Sequence, residues 1–434
     1  MSASQIERRL TGRDAKTLAL ASLGGALEFY DFIIYVFFAV AIGHVFFPAD
    51  MPDWLTQVQT FGIFAAGYLA RPLGGIVMAH FGDLVGRKRM FTLSVFLMAV
   101  PTLIIGIMPT YETIGYAAPI LLVLMRALQG AAIGGEAPGA WVFVSEHVPA
   151  RHVGLACGLL TGGLTGGILL GSLMATLINS VYTPDQVTGF AWRIPFIVGG
   201  VFGLVAMYLR RWLEETPVFE EMQRHKATAR ELPLKLVLSR HREGVAISML
   251  VTWMLTAGIV VLILMAPALM QKLHRIPAVA TLEANVAATL TLTLSAIVGG
   301  ALIDRFGLRV VAVVGGLCMM AAAVALYAVP LVDKDLLLPV YALAGAAVGM
   351  ITVVPVVMVR SFPAAVRFTG LSFSYNVAYA IAGGLTPLAV SLLVAVDPVA
   401  PGYYVAAVTV IGVAATLFST RGRALPRAAA APAE

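Results

Sequence analysis

A chain of 434 residues with 59% hydrophobic residues, only 12% charged residues and a mean hydropathy of +0.90 has too few charges to screen its apolar surface from water. That composition excludes a soluble globular domain and leaves the bilayer as the solvent. The net charge of +6 is spread over short connections, so it reads as topology information and not as a nucleic-acid surface.

Runs of about 20 apolar residues, enough to cross roughly 30 Å at 1.5 Å per residue, are predicted near 17–43, 55–80, 90–108, 115–147, 153–177, 190–212, 243–270, 280–303, 308–331, 336–360, 368–394 and 401–420. The fourth is too long for a perpendicular crossing, so it tilts or extends into the cytoplasm. Of the 29 Lys and Arg residues, 23 fall in the N-terminal tail, the even-numbered connections or the C-terminal tail, a bias that places both termini in the cytoplasm. The N-terminal apolar run is too long for a signal peptide and carries acids, so it stays as the first helix. Residues 213–242 form the one long polar connection. The expected organisation is therefore an N-terminal six-helix bundle over 1–212, a cytoplasmic linker over 213–242, and a second bundle with a short cytoplasmic tail over 243–434. Cys157 and Cys318 lie in apolar spans of different halves and imply no disulfide framework.

An ionisable side chain at membrane depth costs several kcal/mol unless paired or wetted, so each marks a functional position. Helix one carries Glu28 and Asp31, three residues apart and on one face with Tyr35. Helix two carries Arg71, and helix four Arg126, Gln129 and Glu136. Glu28, Asp31 and Arg126 all come to about 17–21 Å from their membrane faces, near the midplane. An acid facing an arginine there couples a proton to a conformation: ionised, it holds the arginine, and protonated, it frees the arginine for an anionic substrate. The alternative is a permanent interhelical clamp. Glu136 is either a second protonation step or a partner for Arg71. The second half has few charges in its spans and offers Trp253 and Thr256, Thr289 and Thr293, and Ser372, Asn376 and Tyr379 with Tyr375 beside them. These orient a small polar solute or act as helix-packing glue.

Helix two ends in RPLGGIVMAHFGDLVGRKR, Arg71 to Arg89, and a worn copy, GALIDRFGLR, recurs at Gly300 to Arg309. Asp83 and Asp304 are 221 residues apart, about half the chain, and Gly86 and Gly307 keep the same offset from them, which indicates duplicated bundles. Gly82, Asp83, Gly86, Arg87 and Lys88 are expected to latch one cytoplasmic conformation, Asp83 accepting from backbone amides at the start of a neighbouring helix. Lipid anchoring is the alternative use of the basic residues. The second copy has Leu308 where the first has Arg87, so a latch at Asp304 and Gly307 is weaker or relies on Arg305 and Arg309. PARHVG, Pro149 to Gly154, resembles PAAVRFTG, Pro363 to Gly370, and the glycines of helix five, Gly158 to Gly171, suit close, sliding contact.

Taken together, LEFYDF at 27–32, RPLGG at 71–75, GDLVGRKR at 82–89, RALQG with GGE at 126–136, WRIPF at 192–196, LEETPVF at 213–219 and VRFTG at 366–370 resemble the major facilitator superfamily, and more narrowly its metabolite:proton symporter family. The resemblance implies an all-α membrane protein of twelve transmembrane helices in two pseudo-symmetric six-helix bundles, alternating access around a midplane site, and proton-driven uptake through the bacterial inner membrane. In similar sugar porters an aspartate of helix one and an arginine of helix four form the coupling pair, roles that would fall on Asp31 and Arg126. Relatives carry carboxylic acids or betaine and proline. Arg71 and Arg126 favour a small organic anion, with a zwitterionic osmolyte or an exporter on the same scaffold as alternatives. The expected partners are the substrate, protons and the lipid bilayer, on a monomer that is not an enzyme. No cofactor or metal is expected, since the chain has no HExxH pair and no phosphate-binding GxxxxGK[ST] loop.

Overall fold

Lipid offers the backbone no hydrogen-bond partners, so a spanning chain satisfies its amides internally as helix. The computed structural model describes residues 10–85, 87–210 and 233–421, and they are arranged accordingly. Twelve main helices are numbered here: α1 Gly12–Phe37, α2 Asp53–Val85, α3 Arg87–Ile107, α4 Ala117–His147, α5 Val153–Val181, α6 Arg193–Arg210, α7 Arg242–Ile259, α8 Ala278–Phe306, α9 Leu308–Val332, α10 Leu337–Val348, α11 Arg367–Val394 and α12 Ala400–Arg421. α10 runs on through a 3-10 turn, Gly349–Thr352, into Val353–Ser361. Among the described residues nine helical segments are long and apolar enough to cross a membrane. A tenth is added if Pro184–Ala191 and Arg193–Tyr208, bent by 46°, form one span. The remaining two expected spans fall on α2 and α3. α2 has 33 residues with Arg71 and Pro72 inside it, and α3 opens on basic residues, so its apolar part, Thr92–Ile107, is short.

Two expected spans are divided. The first breaks at Phe38 and resumes as Ala39–Phe46. The seventh passes from α7 into a π-helical stretch, Val260–Leu264, and restarts as Ala266–His274, with Pro267, which has no N–H to donate, in its first turn. α1 starts on a capping box in which Thr11 accepts from the Asp14 amide while Asp14 accepts from Thr11. Between α8 and α9 the chain turns at Gly307 with φ +86°, a conformation that costs any side-chain-bearing residue strain. Of the expected linker, residues 211–232 lie outside the described residues, and 233–240 form a short helix.

The duplication is visible in the packing. In the first half α1 packs on α5, α2 on α4 and α3 on α6; in the second, α7 packs on α11, α8 on α10 and α9 on α12. The halves meet along two seams related in the same way, α5 against α8 and α2 against α11. Glycine brings the first seam into backbone contact. A Cβ at Gly158 would lie 2.8 Å from the Gly300 Cα, and one at Gly162 would lie 2.6 Å from Ile297. The other side of α5 does the same toward α1, where a Cβ at Gly163 would strike the Ser22 backbone.

Candidate substrate and coupling site

Glycine also positions the cavity arginines. Gly67 and Gly74 of α2 face Gly130 and Ala131 of α4 so closely that a Cβ at Gly74 or Gly130 would overlap the opposing backbone, and Gly134 sits against the Arg71 carbonyl. Helices in such contact hold their long side chains at fixed heights, and Arg71 and Arg126 are both almost wholly buried, at 1% and 0% exposure.

Arg71 points across the seam into the second half. Its Nε lies 3.4 Å from Asn376 Oδ1, and its guanidinium carbon sits 4.3 Å from the ring centre of Tyr379, 5.3 Å from that of Tyr375 and 5.4 Å from that of Tyr68. Each contact of this kind contributes from about 0.5 kcal/mol at an exposed site to about 2 kcal/mol when desolvated. Nη2 has no hydrogen-bond partner, and among the described residues no carboxylate pairs with Arg71. Asn376 and Ser372 bind the carbonyls of Gly134 and Gly75, Asn376 Nδ2 at 2.6 Å from the former and Ser372 Oγ at 3.0 Å from the latter. Spacings of three and four on α11 thus put Ser372, Tyr375, Asn376 and Tyr379 on the face that meets α2 and α4.

The expected pairing of Asp31 with Arg126 is not made, although both are buried. Arg126 Nη1 donates to Gln129 Oε1 at 2.8 Å and to the Phe32 carbonyl at 3.3 Å, and its guanidinium lies 4.5 Å from the ring centres of Phe32 and Tyr35. Asp31 faces the other way, toward glycines of α6. A Cβ at Gly199 would come within 2.5 Å of Asp31 Oδ1 and 3.0 Å of Thr102 Cγ2, and one at Gly203 within 3.2 Å of Oδ2. Neither carboxyl oxygen has a hydrogen-bond partner. The physical reason is one of helix phase: Phe32, the next residue on α1, is the one turned to α4. A polar chain nevertheless reaches from Arg126 to the neighbourhood of Asp31. Gln129 Nε2 donates to Thr102 Oγ1 at 2.7 Å, and Thr102, whose own proton goes to the Met98 carbonyl, stands beside Asp31. Glu28 is buried on the same helix, and Tyr35 donates to the Thr60 carbonyl at 3.1 Å.

Glu136 is not the partner of Arg71: Ser94 of α3 donates to its carboxylate. Trp253 is turned away from the arginines, its Nε1 donating to the Tyr404 hydroxyl of α12 at 2.9 Å, which makes it a packing residue in this conformation. Thr256 returns its proton to the Thr252 carbonyl, and a Cβ at Gly383 would touch Tyr379, Tyr68 and Thr256 together, so Thr256 borders the tyrosine cluster. Tyr68, Thr102 and Ser94 were not foreseen. The signal for Tyr68 was its place three residues before Arg71 on one helix face.

At the end of the bundle that carries the basic connections, the halves are joined by charge. Asp304 Oδ1 accepts from the Gly154 amide at 2.8 Å and Oδ2 from the Leu155 amide at 2.7 Å, the anion sitting on the N-terminus of α5. This is the arrangement expected at Asp83, found here at its copy. The side chains of Gly82, Asp83, Arg87 and Lys88, and all of Gly86, lie outside the described residues. Arg305 lies over the Phe306 ring, 5.2 Å from its centre, and Arg309 binds the Thr420 side chain at 2.7 Å, inside its own half. A second link was also missed: Arg367 of α11 pairs with buried Glu146 of α4 at 2.9 Å. Among the described residues no cluster of His, Cys, Asp and Glu could hold a metal ion.

Residues 21–387 match the family model described as Major Facilitator Superfamily. The proline/betaine transporter of Salmonella typhimurium (strain LT2) is 31% identical over 423 residues, covering 92% of this chain and 82% of the relative. An inner membrane metabolite transport protein of Escherichia coli (strain K12) is 33% identical over 387 residues, covering 86% of each. Among solved structures, the proton:xylose symporter bound to 6-bromo-6-deoxy-D-glucose superimposes with a TM-score of 0.75 at 17% identity, over 93% of this chain and 94% of that one, a likeness of fold.

Proposed function

Since the chain belongs to the major facilitator superfamily and is a multi-pass inner-membrane transporter, we propose that it imports a small zwitterion bearing a carboxylate and an ammonium, of the proline or betaine kind, by proton symport. The observation that carries this reading is Arg71, a buried guanidinium with no carboxylate partner among the described residues and with three tyrosine faces around it. A carboxylate on the substrate meets the arginine, and the aromatic faces suit the positive end. The relatives' name points the same way, and so away from the small organic anion, a mono-, di- or tricarboxylate, that two arginines alone suggested.

Asp31 is the proposed proton carrier. A carboxyl at membrane depth with no ion pair among the described residues can take and release a proton without breaking a salt bridge, and the chain Thr102–Gln129–Arg126 leads from its neighbourhood to the cavity. Asp304 on α5 and Arg367 on Glu146 close the basic end, which the charge bias assigns to the cytoplasm, and they part when the site opens inward.

The test is uptake into proteoliposomes with an inward proton gradient. Glycine betaine or proline is expected to accumulate and to stop on collapse of the gradient. Asp31→Asn should abolish accumulation while retaining exchange of internal for external substrate. Gradient-driven uptake confined to citrate- or shikimate-like acids would overturn the substrate class, and normal accumulation by Asp31→Asn would overturn the proton site.

A further inference from the structure

We infer that Tyr68, Tyr375 and Tyr379 form a cation cage shared between the two halves, and that the guanidinium of Arg71 occupies it as a resident ligand which the ammonium of the substrate displaces. The inference rests on the zwitterion reading above and adds to it where each end of the substrate goes. All three ring centres lie within 6 Å of the guanidinium carbon, the range over which a ring quadrupole attracts a cation. Among the described residues Nη2 has no hydrogen-bond partner, and the bond from Nε to Asn376 is long at 3.4 Å. A planar fork of donors suited to a carboxylate is parked on aromatic faces.

The cage is closed as it stands. Tyr68 and Tyr379 are parallel within 8° with centroids 5.6 Å apart, too close for a tetrahedral ammonium between them. Tyr68 belongs to α2, in the first half, and Tyr375 and Tyr379 to α11, in the second, so the rings separate when the halves part. A substrate carboxylate then draws the guanidinium off the rings, and its ammonium takes the vacated faces, bridging α2 and α11. A quaternary ammonium suits the position because it needs no hydrogen-bond acceptor. A dicarboxylate engages only the arginine, and a neutral solute neither part.

Removal of the resident cation separates this from simple carboxylate recognition. The purified full chain and its variants are titrated calorimetrically with glycine betaine and with choline, a quaternary ammonium without a carboxylate. Wild type is expected to bind betaine and to bind choline only weakly. Arg71→Gln should gain choline affinity by about tenfold or more over wild type, Arg71→Gln with Tyr379→Phe should keep that gain, and Arg71→Gln with Tyr379→Leu should lose it. No gain in Arg71→Gln, or a gain that survives Tyr379→Leu, overturns the cage even where wild type binds betaine. A gain that depends on the ring, in a protein whose wild type binds neither betaine nor proline, upholds the cage and overturns the zwitterion reading. Should Arg71→Gln fail to fold, betaine binding by single variants decides: Tyr379→Phe keeps wild-type affinity and Tyr379→Leu loses about tenfold, whereas equal affinities overturn the proposal.

Discussion

Arg71 and Asp31 are both buried and, among the described residues, both lack an ionic partner, yet their surroundings differ in kind. Arg71 is surrounded by polarisable rings and amides that tolerate a cation, whereas Asp31 lies against the bare glycine backbone of α6 with Thr102 beside it. The glycines there are a steric requirement of the acid. Gly199→Ala should push a methyl onto the carboxyl, since Oδ1 is 2.5 Å from the position of that carbon. Overpacking of this kind costs about 1–3 kcal/mol, so the expected outcome is a lower melting temperature together with slowed gradient-driven uptake, read by thermal denaturation and flux. An unchanged melting point with unchanged flux would mean that Asp31 moves aside freely. At this scale the sequence named both residues correctly as unusual, because a charge in an apolar run is conspicuous. It misjudged the neighbours: Asp31 and Phe32 are adjacent in the chain, and a single residue step on a helix turns a side chain by about 100°, away from α4 and toward α6.

Helices carry the small residues that set how closely they approach. α2 and α4 touch through Gly67, Gly74, Gly130 and Gly134, and that contact fixes the heights of Arg71 and Arg126. Replacing Gly130 by leucine should prevent the pair from forming and leave little monodisperse protein in size-exclusion chromatography, because the obstruction is backbone and cannot rotate away. Gly307 demands its residue type for a different reason. Space around it is open, but φ is +86° with ψ +154°, so Gly307→Ala should cost about 1–3 kcal/mol through backbone strain alone, lowering the melting temperature while leaving substrate affinity intact. The copied motif thus made sense at the level of the element: its glycine is a turn and its aspartate an anion at a helix start. Most helix boundaries were legible in hydropathy. The breaks at Phe38 and Met265 were not, since an apolar run reads the same whether the helix within it is straight or bent.

Over the whole molecule, two seams related by the duplication hold the halves together, and the charged links described across them, Asp304 on α5 and Arg367 on Glu146, lie toward one end. Arg367 is the accessible handle on that closure. Removing one partner of a buried ion pair costs roughly 3–5 kcal/mol, and about 1.4 kcal/mol of it applied to the closed state would shift its population tenfold. Arg367→Gln is therefore expected to raise the labelling of Ser372→Cys by a membrane-impermeant thiol reagent added from the basic side, in a background with Cys157 and Cys318 replaced. Unaltered labelling would mean that the Arg367–Glu146 pair does not control the closure.

The chain by itself determined the medium, the helices, their duplication and the identity of the buried charges, because each of these is a property of local composition and period. Tertiary structure decided which charge meets which. It set Arg126 on Gln129 instead of Asp31, Arg71 among tyrosines of both halves instead of on Glu136, and Glu146 on Arg367. These pairings depend on the rotation of each helix about its own axis. That rotation is set by which glycines let two backbones touch, an outcome of packing between segments up to some 300 residues apart, as in the 305-residue separation of Arg71 and Asn376.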